Sequence, residues 1–91
     1  MSARRPTLDE PVIVDRFWRD RAGRAIFTRL TTYEGHNLVD IRTFFTGADG
    51  TMQPAKGLSC SVTRLPDLAK AVQKALAKAV ELGLVDDRAA Q

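Results

Sequence analysis

YEGHNLVDIRTFF, residues 33–45, reads as the end of one strand, a tight reversal and the whole of a second strand. Glu34, Gly35 and His36 close a strand running from Ala25 to Tyr33, since glycine reaches the backbone angles of a turn without steric cost. Beyond the reversal, Asn37 to Thr46 is rich in β-branched and aromatic residues and reads as the next strand. The same stretch places Arg42 close to Phe44 and Phe45. Cations that meet a phosphate backbone and flat rings that meet unstacked bases are what a single-stranded nucleic acid needs from a protein surface.

Upstream, Val12 to Trp18 reads as a first strand, followed by RDRAGR with a glycine for the turn. Downstream, GADG is a turn, and GTMQPAKG reads as a loop in which Pro54 interrupts any ladder. A short fourth strand is then expected near Leu58 to Thr63. Pro66 suits the first turn of a helix, Asp67 suits the positive end of its dipole, and Gly83 supplies a stop after Leu82. Between these markers Leu65, Leu68, Ala69, Val72, Leu76, Ala79 and Val80 recur at spacings of three and four, which defines an apolar face. Lys70, Lys74 and Lys78 form a solvated stripe away from it.

The fold class that follows is α+β: a curved, four-stranded antiparallel sheet and one C-terminal helix, ββββα, with one sheet face under the helix and the other open. Residues 1–11 are expected to form a flexible arm, 12–85 the folded domain and 86–91 a tail. A chain of 91 residues buries little of its surface. Its lone Cys60 offers no intrachain disulfide, so self-association is expected, and the broad apolar arc of the helix is the place for a dimer contact.

Alternation sorts the second strand into Ile26, Thr28, Leu30 and Thr32 on one face and Phe27, Arg29 and Tyr33 on the other. Phe27 and Tyr33 then serve either as rings of an open platform or as a buried dimer seam. In the third strand Arg42 and Phe45 fall on opposite faces, and they grip one ligand only if a bulge or strong twist lies near Thr43 and Phe44. Asp40 shares a face with Arg42 and can orient its guanidinium, or simply form a structural ion pair with it. Trp18, crowded by Arg16, Arg19 and Arg21, is either an exposed stacking ring or a core residue at a strand end.

Fourteen Lys and Arg face eleven Asp and Glu, a net charge of +3, with the arginines concentrated before residue 30. Cys60 aligns with Leu58 and Val62 as a small core residue, and His36 has no evident carboxylate partner. An enzyme is therefore not expected, and neither is a metal or other cofactor. No apolar run reaches the ~18 residues that would span a bilayer. A cytoplasmic protein without a membrane partner is expected, nucleoid-associated if bacterial, with a nuclear setting left open.

With these residues in view, the chain resembles the transcriptional coactivator p15 family, also called positive cofactor 4, in its single-stranded-DNA-binding domain. The resemblance runs from about Ile13 to the end of the helix and rests on the Tyr33–Phe45 block with LVDIR at its centre, then DGTMQP, then KG, then the helix. It implies a two-fold homodimer with paired channels for single strands or melted duplex, acting in transcription as a regulator or coactivator, or in replication or repair. It also implies central backbone and stacking roles for Arg42 and Phe45, a second stacking role for Tyr33, a loop cation at Lys56 and a strand-start cation at Arg24. His36 stands where the family often has Lys, Phe45 where eukaryotic members carry Trp, and Gln53 where they carry Lys. The PAKG loop is one residue shorter and less basic, and the Ser-rich acidic tail is absent, which leaves the pattern of compact bacterial members. Arg16, Trp18, Arg19, Arg21, Phe27, Arg29 and His36 are further candidate contacts. RNA is an alternative ligand, and a protein-interaction module of the transcription machinery is an alternative function.

Overall fold

The computed structural model describes residues 5–86. Four strands, β1 (Val12–Trp18), β2 (Arg24–Tyr33), β3 (His36–Thr46) and β4 (Met52–Ser61), form one antiparallel meander in chain order. A 3-10 turn, Val62–Arg64, leads directly into the helix α1, Leu65–Glu81. The sequence-expected class, four antiparallel strands and then a helix, is the architecture observed.

The β2–β3 reversal is as tight as the sequence predicts. Tyr33 pairs with His36, and the two residues between them, Glu34 and Gly35, both have positive φ (50° and 82°), the hairpin geometry whose twist matches that of the flanking strands. The β3–β4 turn is closed by Gly47 N–H to the Thr51 carbonyl at 2.7 Å, and Asp49 accepts from the Thr51 amide at 3.0 Å. At the far end of α1, the Leu84 amide reaches the Ala79 carbonyl (2.8 Å) and the Gly83 amide reaches Val80 (3.0 Å). Gly83 sits at φ 77°, so the chain stops in a glycine-dependent Schellman arrangement.

Three expectations change. The fourth strand differs from Leu58 to Thr63: it begins at Met52, takes in the MQPAKG part of the predicted GTMQPAKG loop, and ends at Ser61. Pro54 is tolerated within it because β4 is an edge strand paired only with β3. Next, the helix does not cover the sheet. No residue of α1 is buried, and the Cα radius of gyration is 15.9 Å where a compact chain of this length has about 12 Å. The connector explains this, since β4 passes through a single 3-10 turn into the helix with no loop in which to fold back. Finally, part of the arm expected over 1–11 is tied down: the Leu8 amide donates to Thr32 Oγ1 and Asn37 Nδ2 to the Pro6 carbonyl, both at 2.8 Å. Residues 1–4 of that arm and 87–91 of the expected tail lie outside the described residues.

Register assigns the faces. Across one face run the rows Arg16–Phe27–Arg42–Gly57 and Ile13–Arg29–Asp40–Ser59, with Tyr33 opposite His36 at the hairpin end. Across the other run Val12–Leu30–Val39–Cys60, with Phe17–Ile26–Thr43 and Arg24–Phe45–Gln53 nearer the opposite end. These are called the Phe27 face and the Val39 face below. Buried residues occur on both: Ala25, Phe27 and Asp40 on the first, and Val39 on the second. Bulges in β1 after Ile13 and in β4 between Pro54 and Gly57 bend both edges of the sheet.

Candidate nucleic-acid interface

Arg42 occupies the middle of the Phe27 face because β3 alternates without interruption against β2. Its Nε donates to both carboxylate oxygens of Asp40 at 2.8 Å, and its Nη1 donates to the Ala55 carbonyl at 3.2 Å. Arg29, one strand away, donates to the same carboxylate from Nε (3.1 Å) and Nη2 (2.8 Å). Asp40 is 3% exposed, so burial by itself would raise its pKa, yet the hydrogen bonds from Arg42 and Arg29 win and hold the carboxyl below its ordinary range. In return the hydrogen bond to Asp40 raises the Arg42 pKa. Two guanidiniums on one carboxylate leave a fixed positive charge on this face. The expected orientation of Arg42 by Asp40 is present, and Arg29 as a second partner is an addition to it.

Gly57 makes room for this arrangement. It lies opposite Arg42 in β4, and a Cβ built there would overlap the Cβ of Arg42 and the backbone of Ile41 and Arg42. Without a side chain at that position, the Arg42 side chain can lie against the edge strand and reach Ala55.

Beside the triad, the rings of Phe27 and Phe44 meet at a centroid distance of 4.5 Å and an angle of 41°. Arg29 Cζ stands 5.2 Å above Phe44 and Arg16 Cζ 6.0 Å above Phe27, so the rings and cations interleave. Phe27 is largely covered within the chain. At 7% exposure, beneath Arg16 and against Phe44, its ring is mainly a floor for the face. Tyr33, by contrast, is exposed in the single chain, as both an open stacking ring and a ring covered by a second copy would be.

The other predicted residues fall into four places. Tyr33 and His36 stand exposed at the hairpin end of the Phe27 face. Arg24 and Phe45 are partners in register at the opposite end of the sheet, and they point to the Val39 face. The irregularity foreseen near Thr43 and Phe44 exists, but its extra residue is in β4, so β3 keeps its alternation and Arg42 and Phe45 do not share a face. Lys56 is exposed in that β4 bulge, next to Gly57. Arg16, Trp18, Arg19 and Arg21 gather at the β1–β2 end, all exposed. Arg24 is paired with Asp20 at 2.7 Å, whereas among the described residues no carboxylate pairs with Arg16, Arg19 or Arg21.

Phe44 and Gly57 were not anticipated from the sequence. Phe44 was findable, because it lies two residues from Arg42 and alternation puts both on one face. Gly57 was not, since its partner is set by the bulge. Cys60 is half-buried on the Val39 face and His36 is on the other, so the sheet separates the two.

The family model described as Transcriptional Coactivator p15 (PC4) matches residues 21–71, more than half of the chain. Among solved structures, a bacteriophage T5 homolog of the eukaryotic transcription coactivator PC4, implicated in recombination-dependent DNA replication, is similar in fold. The TM-score is 0.60 at 20% sequence identity, over 90% of this chain and 93% of that one. No curated protein matches the chain.

Proposed function

Because this chain belongs to the transcriptional coactivator p15 (PC4) family, we propose that it binds single-stranded or melted DNA as a homodimer, with little choice of sequence, in transcription or in DNA replication and repair. The observation that carries this reading is the Phe27 face: Arg29 and Arg42 on one carboxylate with Arg16 over the Phe27 ring, between the exposed ring of Tyr33 at one end and that of Trp18 at the other. β2 alone has 10 residues, so the track from Tyr33 to the β1–β2 turn is roughly 30 Å long. Phosphates supply the affinity and exposed rings hold bases of any kind. Phe45 and Arg24 lie around the end of the sheet, where a strand leaving this track turns onto the other face. A face of this kind binds and has no need of turnover, a metal or another cofactor.

The dimer reading rests on α1. Leu65, Leu68, Leu76, Ala79 and Val80 lie on one side of the helix and are only half-buried within the chain, and the Val39 face leaves Val12, Phe17 and Leu58 exposed. A second copy that covers this apolar surface stabilises both protomers and leaves each Phe27 face open. No described helix is long and apolar enough to cross a membrane.

Fluorescence anisotropy with labelled oligo(dT) across a salt series tests the binding. If four to six phosphates are neutralised, log affinity falls against log salt with a slope of about 3 to 4. Arg42→Ala combined with Phe45→Ala is expected to abolish most binding while the dimer persists. A flat salt response, or unchanged binding by the double variant, removes the proposal. Competition between single-stranded DNA, duplex DNA and RNA at one salt concentration identifies the preferred ligand.

A further inference from the structure

Trp18 ends β1 with 68% of its surface exposed, an unusual position for the largest apolar side chain. Two concavities open beside it. One, of about 280 Å³, is lined by Arg16, Phe17, Trp18, Ala25, Phe27 and Met52. The other, of about 350 Å³, is lined by Trp18, Asp20, Arg21 and Gly23. Trp18 is the residue they share and borders both. Volumes just below and at the lower end of the ~300 to 1,000 Å³ range of small-ligand pockets suit single planar rings better than a folded segment of protein.

We propose that Trp18 is a two-sided stacking platform on which two neighbouring bases of an unpaired strand rest, one in each concavity. The inference rests on the strand-binding reading above and adds to it the place where bases are held. Charge selects the occupant. Arg16 lines the first concavity and Arg21 the second, with Arg19 between them in the chain, and none is paired with a carboxylate among the described residues. The carboxylate of Asp20 is already engaged, accepting from the Ala22 amide at 2.9 Å and from Arg24 Nε at 2.7 Å. What remains is a flat apolar ring among uncompensated cations, which fits a partner that is flat and anionic. A second copy docked symmetrically here would bring like charges together. A duplex keeps its bases stacked on each other and has none to offer to the ring.

Trp18 is the sole Trp of the chain, so emission excited beyond the absorption band of Tyr33 reports on this ring alone. Oligo(dT) is titrated into the full chain while Trp emission and, in parallel, the anisotropy of labelled oligo(dT) are followed. An abasic strand of equal length serves as the control. Stacking is expected to quench emission with the same midpoint as the anisotropy change, and the abasic strand to leave emission unchanged. Trp18→Ala is expected to weaken oligo(dT) binding by about 5- to 150-fold per base displaced, and Trp18→Phe to keep most of the affinity. Circular dichroism checks that both variants retain the sheet. If anisotropy reports binding while emission stays constant, if the abasic strand quenches equally, or if Trp18→Ala binds like the parent, the platform is refuted and strand binding elsewhere on the face stands. An absence of binding by either readout refutes both.

Discussion

Asp40→Asn is the substitution that most directly tests how the Phe27 face is built. The side chain keeps its size and one acceptor oxygen but loses its charge, leaving Arg29 and Arg42 facing each other without a counterion. Removing one partner of a buried ion pair costs about 3 to 5 kcal/mol. Here the cost is smaller, because the Arg29 and Arg42 side chains keep 23% and 27% of their surface in contact with water and because the amide oxygen still accepts one hydrogen bond. A destabilisation of about 2 to 3 kcal/mol results. For a domain of this size that lowers Tm by roughly 8 to 24 °C.

Thermal and urea denaturation followed by circular dichroism measure this, at one fixed protein concentration because the proposed self-association would make the midpoint depend on it. The acid limb supplies a second readout. With its pKa held below the ordinary carboxylate value of about 3.9, Asp40 binds a proton more readily in the unfolded chain than in the folded one. Its contribution is therefore complete above about pH 4 and is lost as pH falls through the folded-state pKa. The parent is expected to lose stability over that interval, and Asp40→Asn to show a flatter profile. A variant within about 0.5 kcal/mol of the parent between pH 5 and 8 would show that the triad does not hold the face together.

Gly57→Ala is expected to cost about 1 to 3 kcal/mol by overpacking against Arg42, and to release the Arg42 hydrogen bond to Ala55; denaturation midpoints and the chemical shift of the Arg42 Nε proton measure the two effects. Leu76→Asp places a charge on the apolar side of α1, where the residue is only half-buried in the single chain. It is expected to raise the dimer dissociation constant at least tenfold while the strand signal in circular dichroism persists, and sedimentation equilibrium at several concentrations decides it. An unchanged association would move the dimer contact away from the helix.

Local chemistry made most of the fold legible. Gly35, Gly50 and Gly83 stand at positive φ where turns and a helix end were expected, and the three- and four-residue spacing from Leu65 to Val80 became one uninterrupted helix. What misled was a rule applied without position. Pro54 does interrupt a central strand, but β4 is at the edge, and edge status depends on the order of strands in space. Likewise the apolar arc of α1 says that something covers it. It does not say whether the covering surface belongs to the same chain, and here the direct passage from β4 through Val62–Arg64 keeps the helix off its own sheet.

At the candidate site, period two assigned side chains to faces correctly and could not assign exposure. Phe27, Arg29 and Tyr33 were grouped on one side, as observed, yet Phe27 is buried and Tyr33 is not. The difference arises from cross-strand neighbours: Phe27 has Arg42 opposite it, Arg16 over it and Phe44 against it, whereas Tyr33 has only His36 at the end of the hairpin. The same neighbours explain Asp40. A carboxylate buried in the sheet is stable only with cations on both sides, and two arginines placed for that purpose also give the face its positive charge. On the proposed reading, stability and recognition draw on one pair of guanidiniums, so a phosphate that binds here would compete with Asp40 for Arg29 and Arg42. Arg16, Arg19 and Arg21 have no such competitor among the described residues, and for that reason the proposed DNA binding predicts its first strong phosphate contacts at the β1–β2 end, beside Trp18.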